Sequence, residues 1–163
     1  MNEKSILILG VGNLLLADEG IGVHIAQRLQ KMALPPEVEV VDGGAGGFEL
    51  IAHCRGRKKI IIVDAVHADA EPGSVFRFKP DAVAMRSRAS FSAHQTGLQE
   101  FLHFCKTLTP PPEVIIYGVA PQETQRMSTQ LSEMLARKLD EIVALIAVEV
   151  ERAVASEKHA KSA

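Results

Sequence analysis

The sequence predicts one α/β domain: a mostly parallel, twisted sheet of about five strands with helices on both faces. Short, continuous apolar runs rich in β-branched residues recur along the chain, as strands covered on both faces require. Between them lie segments whose apolar residues repeat at helical spacing. The two kinds of segment alternate, and alternating strands and helices build a mostly parallel sheet.

Ile6 to Leu9 is the first such run and ends at Gly10, as a central strand would. Ile21, Ile25, Leu29 and Met32 then mark the apolar face of a helix from about Asp18 to Leu34, stopped by Pro35-Pro36. Val38 to Val41 is a second strand, closed by Asp42-Gly43-Gly44. A short helix spans Phe48 to Cys54, between Gly47 and Gly56. Lys59 to Val63 is the third strand, with Asp64 at its carboxyl end. Glu71-Pro72-Gly73 signals a turn, and Val75 to Phe78 alternates like a half-exposed edge strand. Lys79 to Ser92 has mixed polarity and reads as an irregular loop. Thr96 to Leu108 is a helix through Leu98, Phe101, Leu102 and Cys105, and Val114 to Val119 another buried strand. Ser128 to Val150 is a long helix with Leu131, Leu135, Leu139, Ile142, Val143 and Ile146 on one side. That face is expected to pack on the chain's own sheet, so a monomer is expected. The domain occupies residues 1–154, and the small, charged residues 155–163 are expected to fray.

The chain has 163 residues, enough for one well-buried core, with 47% hydrophobic and 23% charged residues. A net charge of −2 without a basic stripe argues against a nucleic-acid partner. The apolar run from Ile6 to Ala17 is interrupted by Gly10, Gly12 and Asn13 and preceded by Glu3. It is too short to span a bilayer and has no small-x-small cleavage site, so the expectation is a cytoplasmic protein with no membrane partner. Cys54 and Cys105 form no Cys-x-x-Cys pair and read as reduced core residues.

In a sheet of this kind the functional crevice lies beyond the carboxyl ends of the strands. Three loops there carry candidates. After the first strand, Gly10-Val-Gly-Asn-Leu-Leu-Leu-Ala-Asp-Glu-Gly-Ile-Gly22 places Asp18 and Glu19 at a helix start, where the helix dipole favours ionised acids. A cap and a first-turn acid would look the same. A dinucleotide site is disfavoured: Leu15 stands at the last Gly of G-x-G-x-x-G, and two acids would repel a pyrophosphate. Asp64 is the second candidate, with a surface loop acid as the ordinary alternative. His94, in Ser92-Ala-His-Gln-Thr-Gly97, is the third, with a capping or packing role as its alternative. Together Glu19, Asp64 and His94 offer two oxygens and one imidazole nitrogen, a plausible set for a borderline divalent ion with room for water or substrate. His67, three residues past Asp64, is a candidate neighbour of that site, whereas His24 and His103 fall on helices away from it. There is no His-Glu-x-x-His and no Gly-x-Ser-x-Gly.

From Ile6 to about Gln125 the chain resembles the hydrogenase maturation proteases. The resemblance rests on Gly12-Asn13 with Asp18-Glu19-Gly20-x-Gly22, on Asp42-Gly43-Gly44 with Gly47 and Leu50, on Val63-Asp64-Ala65, on His94 before Gly97-Leu98, and on Gly118-Val-Ala-Pro-Gln-Glu123. Ala45 departs from the Thr common in that family. The resemblance implies an endopeptidase that removes the C-terminal extension of a nickel–iron hydrogenase large-subunit precursor after nickel has entered it. It also implies a twisted sheet flanked by helices, and metal contact through Glu19, Asp64 and His94. Nickel would then arrive with the precursor, with no organic cofactor. Asp42, Gly43 and Gly44 are expected to form a backbone lip that meets the substrate tail as an extended strand, or else merely a tight turn. The alternatives are a different hydrolase with its own zinc, and a non-catalytic nickel-binding or docking factor in hydrogenase assembly.

Overall fold

The computed structural model describes residues 4–83, 90–91 and 95–163. The sheet has the strand order β2-β1-β3-β6-β4, formed by β1 (Ile6–Val11), β2 (Val38–Gly44), β3 (Lys59–His67), β4 (Val75–Phe78) and β6 (Glu113–Val119). β1 pairs in parallel with β2 and β3, and β3 in parallel with β6. β4 closes the far edge antiparallel to β6. A two-residue strand, β5 (Ser90–Phe91), pairs antiparallel with the end of β3. The helices are α1 (Ile21–Leu29), α2 (Pro80–Val83), α3 (Gln95–Thr107) and α4 (Glu133–Ser162), with 3-10 turns at Ala17–Gly20 and Phe48–His53. The expected α/β architecture, with its edge strand, is the one observed.

Strand alternation sorts the core onto two faces. Ile6, Ile8, Ile61, Val63, Ala65 and Ile115 pack against α1 and α4. Leu7, Leu9, Ile60, Ile62 and Ile116 pack against α3 and the 3-10 turn at Phe48–His53. The long last helix therefore lies on its own sheet, as its apolar stripe predicts, through Leu135, Leu139, Ile142, Val143 and Ile146. Among the described residues no helix is long and apolar enough to cross a membrane.

The boundaries differ where long-range hydrogen bonds overrule local pattern. The helix expected from Asp18 starts at Ile21, because the backbone N–H groups of Ala17 and Asp18 bond to Ser128 and Glu123 instead of opening a helix. It ends at Leu29, and Met32, placed on the buried face by spacing alone, is 44% exposed. Ser128 is likewise bound to Leu15, so α4 begins only at Glu133, capped by Ser132, whose Oγ accepts the Leu135 N–H. At its other end α4 does not fray across 155–163 but runs to Ser162. Glu157 ties it down, accepting from Ser5 Oγ at 2.5 Å and pairing with Lys58 at 3.1 Å. The stretch read as irregular holds α2 and β5. Pairing with β5 and β6 carries β3 to His67, so Asp64 lies inside the strand, opposite Gly118, and not at its end.

Across the α4 face, the buried Glu149 accepts hydrogen bonds from Lys59 Nζ and Arg77 Nη2, each at 3.2 Å. Burial pushes this carboxyl up, but the hydrogen bonds from Arg77, Lys59 and Tyr117 outweigh it and hold it below the ordinary Glu range. A depressed folded-state value means stability that is present above the unfolded value of 4.5 and lost as pH falls through the folded one. Glu149→Gln should cost roughly 1.5–3 kcal/mol at neutral pH, the range for hydrogen bonds to a charged group. In urea denaturation series, the gap to the parent chain should narrow as the pH drops below the ordinary Glu value.

Candidate active site

The site is built where α1 meets the carboxyl ends of β1 and β3. A Cβ on Gly22 would stand 2.2 Å from the Val63 carbonyl oxygen and 2.3 Å from that of Val11, so α1 rests on the sheet backbone to backbone. Gly12, at φ +150°, turns the chain off β1, and a Cβ there would stand 2.1 Å from the Glu19 carbonyl oxygen. Ala17 takes φ +44°, a left-handed conformation that costs a non-glycine residue about 1 kcal/mol or more. The loop from Gly12 to Gly20 is thereby folded down onto the sheet edge.

Asp18 holds it there. The side chain is fully buried and accepts backbone N–H groups of Gln122 at 2.9 Å, Glu123 at 2.8 Å and Ser132 at 2.7 Å. The reading of Asp18 as a cap of its own helix thus gives way to a clamp joining the first loop, the loop after β6 and the entry to α4. Nothing in the local pattern distinguishes the two roles, since the partners lie more than a hundred residues away.

Glu19 and Asp64 come together at the carboxyl edge of the sheet, at 4% and 3% exposure. Asp64 Oδ1 accepts the Ala65 N–H at 2.8 Å. Burial, and then the charge of Glu19, push the Asp64 carboxyl well above the usual carboxylate range, against the pull of that N–H. Glu19 Oε1 faces His67 Nε2 at 2.7 Å, while its buried Oε2 has no hydrogen-bond partner among the described residues. Two buried acids near one another with an oxygen left unpaired form a site short of positive charge, and a divalent cation suits that deficit. His94 lies outside the described residues, and among the described residues no three metal-ligating side chains converge. His24, with its Nε2 buried and without a hydrogen-bond partner among the described residues, lies against Thr129 rather than in this pair.

The Asp42–Gly44 turn sits at the end of edge strand β2. Asp42 Oδ1 accepts the Gly44 N–H at 3.0 Å, Oδ2 accepts Gln27 Nε2 at 3.1 Å, and the Gly44 carbonyl takes the Gly12 N–H at 2.8 Å. The lip is thus bound to the loop that carries Glu19. Beyond it opens a cleft of about 530 Å³, lined by Asp42 to Gly47 with Glu49 and His53, whose lining includes neither Glu19 nor Asp64. On the far side of the lip, Gly97 at the start of α3 meets Gly47, where a Cβ would stand 2.5 Å from the Gly47 Cα.

Neither thiol competes for the chemistry. Cys54 and Cys105 are buried and reduced, as expected. Burial first, and the neighbouring thiol Cys54, push Cys105 up to about 12, and burial raises Cys54 too, so neither forms a nucleophilic thiolate at neutral pH.

The family model for hydrogenase maturation proteases matches residues 23–149. The chain belongs to the hydrogenase maturation protease family. A Methanocaldococcus jannaschii protein assigned as a hydrogenase maturation protease is 36% identical over 157 residues, 93% of this chain and 100% of that one. The Escherichia coli hydrogenase 2 maturation protease is 33% identical over 147 residues, 86% of this chain and 90% of its own length. The solved structure of the Escherichia coli hydrogenase maturating endopeptidase HybD superimposes with a TM-score of 0.79 at 31% identity, covering 91% of this chain and 93% of that one. The chain is accordingly an endopeptidase of hydrogenase maturation. The model match starts at Val23, beyond the Gly12–Gly22 motif, and runs on to Glu149 in α4, past the Gln125 limit of the motif resemblance.

Asp18→Ala orphans three backbone N–H groups at once, that of Ser132 buried and those of Gln122 and Glu123 partly buried. It should lower stability by at least about 3 kcal/mol in chemical denaturation, given roughly 1–3 kcal/mol per unsatisfied group.

Proposed function

We propose that this maturation protease removes the C-terminal extension of a nickel-loaded hydrogenase large-subunit precursor, and that it recognises the nickel through Glu19, Asp64 and His94. The observation that carries the reading is the pair of buried acids with Glu19 Oε2 unpaired among the described residues, a charge deficit that a cation brought by the substrate would fill. The nickel belongs to the precursor, and no organic cofactor takes part. Work in the cytoplasm as a monomer goes with the same reading.

Gripping the ion would fix the precursor tail in register over the sheet edge, where accurate placement is worth orders of magnitude in rate. The ion so held can polarise the scissile carbonyl or a water. Either Glu19 or Asp64 suits the general base, and catalysis and metal contact share these residues. The lip of Asp42, Gly43 and Gly44 would receive the tail as an added strand. Among the described residues β2 pairs only with β1 and is an edge strand, so main-chain hydrogen bonding to an extended peptide is geometrically open. The Gln30 side chain covers one position on β2 by bonding to the Val40 carbonyl at 3.1 Å, which leaves the glycine end as the docking segment.

The test incubates purified protein with nickel-loaded precursor and weighs the products by mass spectrometry. Release of a C-terminal peptide is expected. Binding without release would instead identify a docking factor, and stoichiometric, tightly held zinc in the purified protein would identify a zinc hydrolase. Glu19→Gln, Asp64→Asn and His94→Ala should each abolish release without unfolding the chain; near-parental cleavage by all three would end the proposal. Asp64→Asn should melt at or above the parental temperature, because it replaces a buried ionisable group beside Glu19 with a neutral one. Asp42→Ala, which frees the Gly44 N–H and loosens the lip, should raise KM about tenfold or more while leaving kcat closer to parental, the pattern of lost substrate binding.

A further inference from the structure

The role of His67 follows from how β3 ends. Had the strand stopped at Asp64, the chain would be free to leave the sheet there. Instead it continues for three residues, held by β6 through Ala65 and Val119 and by β5 through Val66 with Phe91 and His67 with Ser90. Alternation along this extension matters. Ile61, Val63 and Ala65 face α1 and α4, and His67 continues that row; Ile60 and Ile62 face α3, and Asp64 continues the other. Asp64 and His67 thus rise from opposite faces of one strand, and Glu19, on the loop crossing the sheet edge, is approached by both. His67 Nε2 lies 2.7 Å from Glu19 Oε1, with the histidine side chain 39% exposed and the glutamate side chain 5% exposed.

Facing a carboxylate oxygen, which only accepts, the imidazole nitrogen is the donor. The bond consumes Oε1 and leaves Oε2 as the only unpaired oxygen of Glu19 among the described residues, buried at the site. A glutamate has three rotatable bonds, and unbound it would spread over many rotamers. We propose that His67 is a positioning residue: its Nε2–H pins Oε1 so that Oε2 alone is offered to the precursor's metal. The inference rests on the functional reading above. Carboxylates that bind metals are commonly held in this way by an outer partner, whose loss costs about 10- to 100-fold in affinity or activity.

The experiment compares the full-length parent with His67→Ala, His67→Gln and Glu19→Gln. Each is titrated with nickel ion by calorimetry, assayed on nickel-loaded precursor for kcat and KM, and melted. His67→Ala should weaken nickel binding and lower kcat/KM by about tenfold or more, with the melting temperature near parental. His67→Gln, whose amide Nε2 can donate to the same oxygen, should recover most of both. Glu19→Gln should lose both. If His67→Ala matches the parent while Glu19→Gln is inactive, positioning by His67 is wrong and the functional reading stands. If His67→Gln is as impaired as His67→Ala, the histidine acts through its bulk and the proposal also fails. If Glu19→Gln binds nickel and cleaves like the parent, the functional reading falls and takes this inference with it.

Discussion

The structure depends on how closely α1 approaches the sheet. Because Gly10 and Gly22 have no side chains, the start of the helix lies directly on the backbone carbonyls of Val11 and Val63. Everything preceding α1 is consequently forced out over the carboxyl edge of the sheet. Glu19 is delivered to Asp64 by that contact, and a single methyl group at Gly22 would collide with two backbone carbonyls that have nowhere to move.

Close approach sets the position of the loop, and buried polar groups set its shape. Asp18 gathers three backbone donors from distant segments, and the backbone of residues 15–18 runs alongside residues 123–128. Buried acids seldom occur without such compensation. Adjacent acids thus receive opposite treatment: Asp18 accepts three backbone hydrogen bonds, and Glu19 keeps one oxygen unpaired among the described residues. That contrast separates a residue that holds the fold from one proposed to meet a ligand's charge. The strained Ala17 between β1 and the two acids is consistent with a loop whose conformation is imposed by its partners.

Under the proposed reading, the deficit of positive charge at Glu19 and Asp64 would give a physical logic to a protease that waits for its substrate's metal. Two adjacent buried acids disfavour one another's ionisation, and a precursor that brought a cation would relieve that cost as it docked. Binding energy would then be available only when metal insertion is complete, which makes the chemistry of the site its own checkpoint.

The sequence by itself determined the architecture. Continuous β-branched runs specify buried parallel strands, and the helical stripes of α3 and α4 specify which residues face them, since periodicity is a local property of the chain. It also determined the candidate acids, through glycine-rich flanks that resemble one family. Only the tertiary structure decided where elements begin and end and what each acid does. Residues 155–162 are helical, because hydrogen bonds and ion pairs between distant segments outweigh local pattern. Asp18 as a clamp, Asp64 inside β3 and His67 against Glu19 each arise from contacts across tens to a hundred residues. Spacing along a chain carries no record of such contacts, because they exist only once the sheet has brought its strand ends side by side.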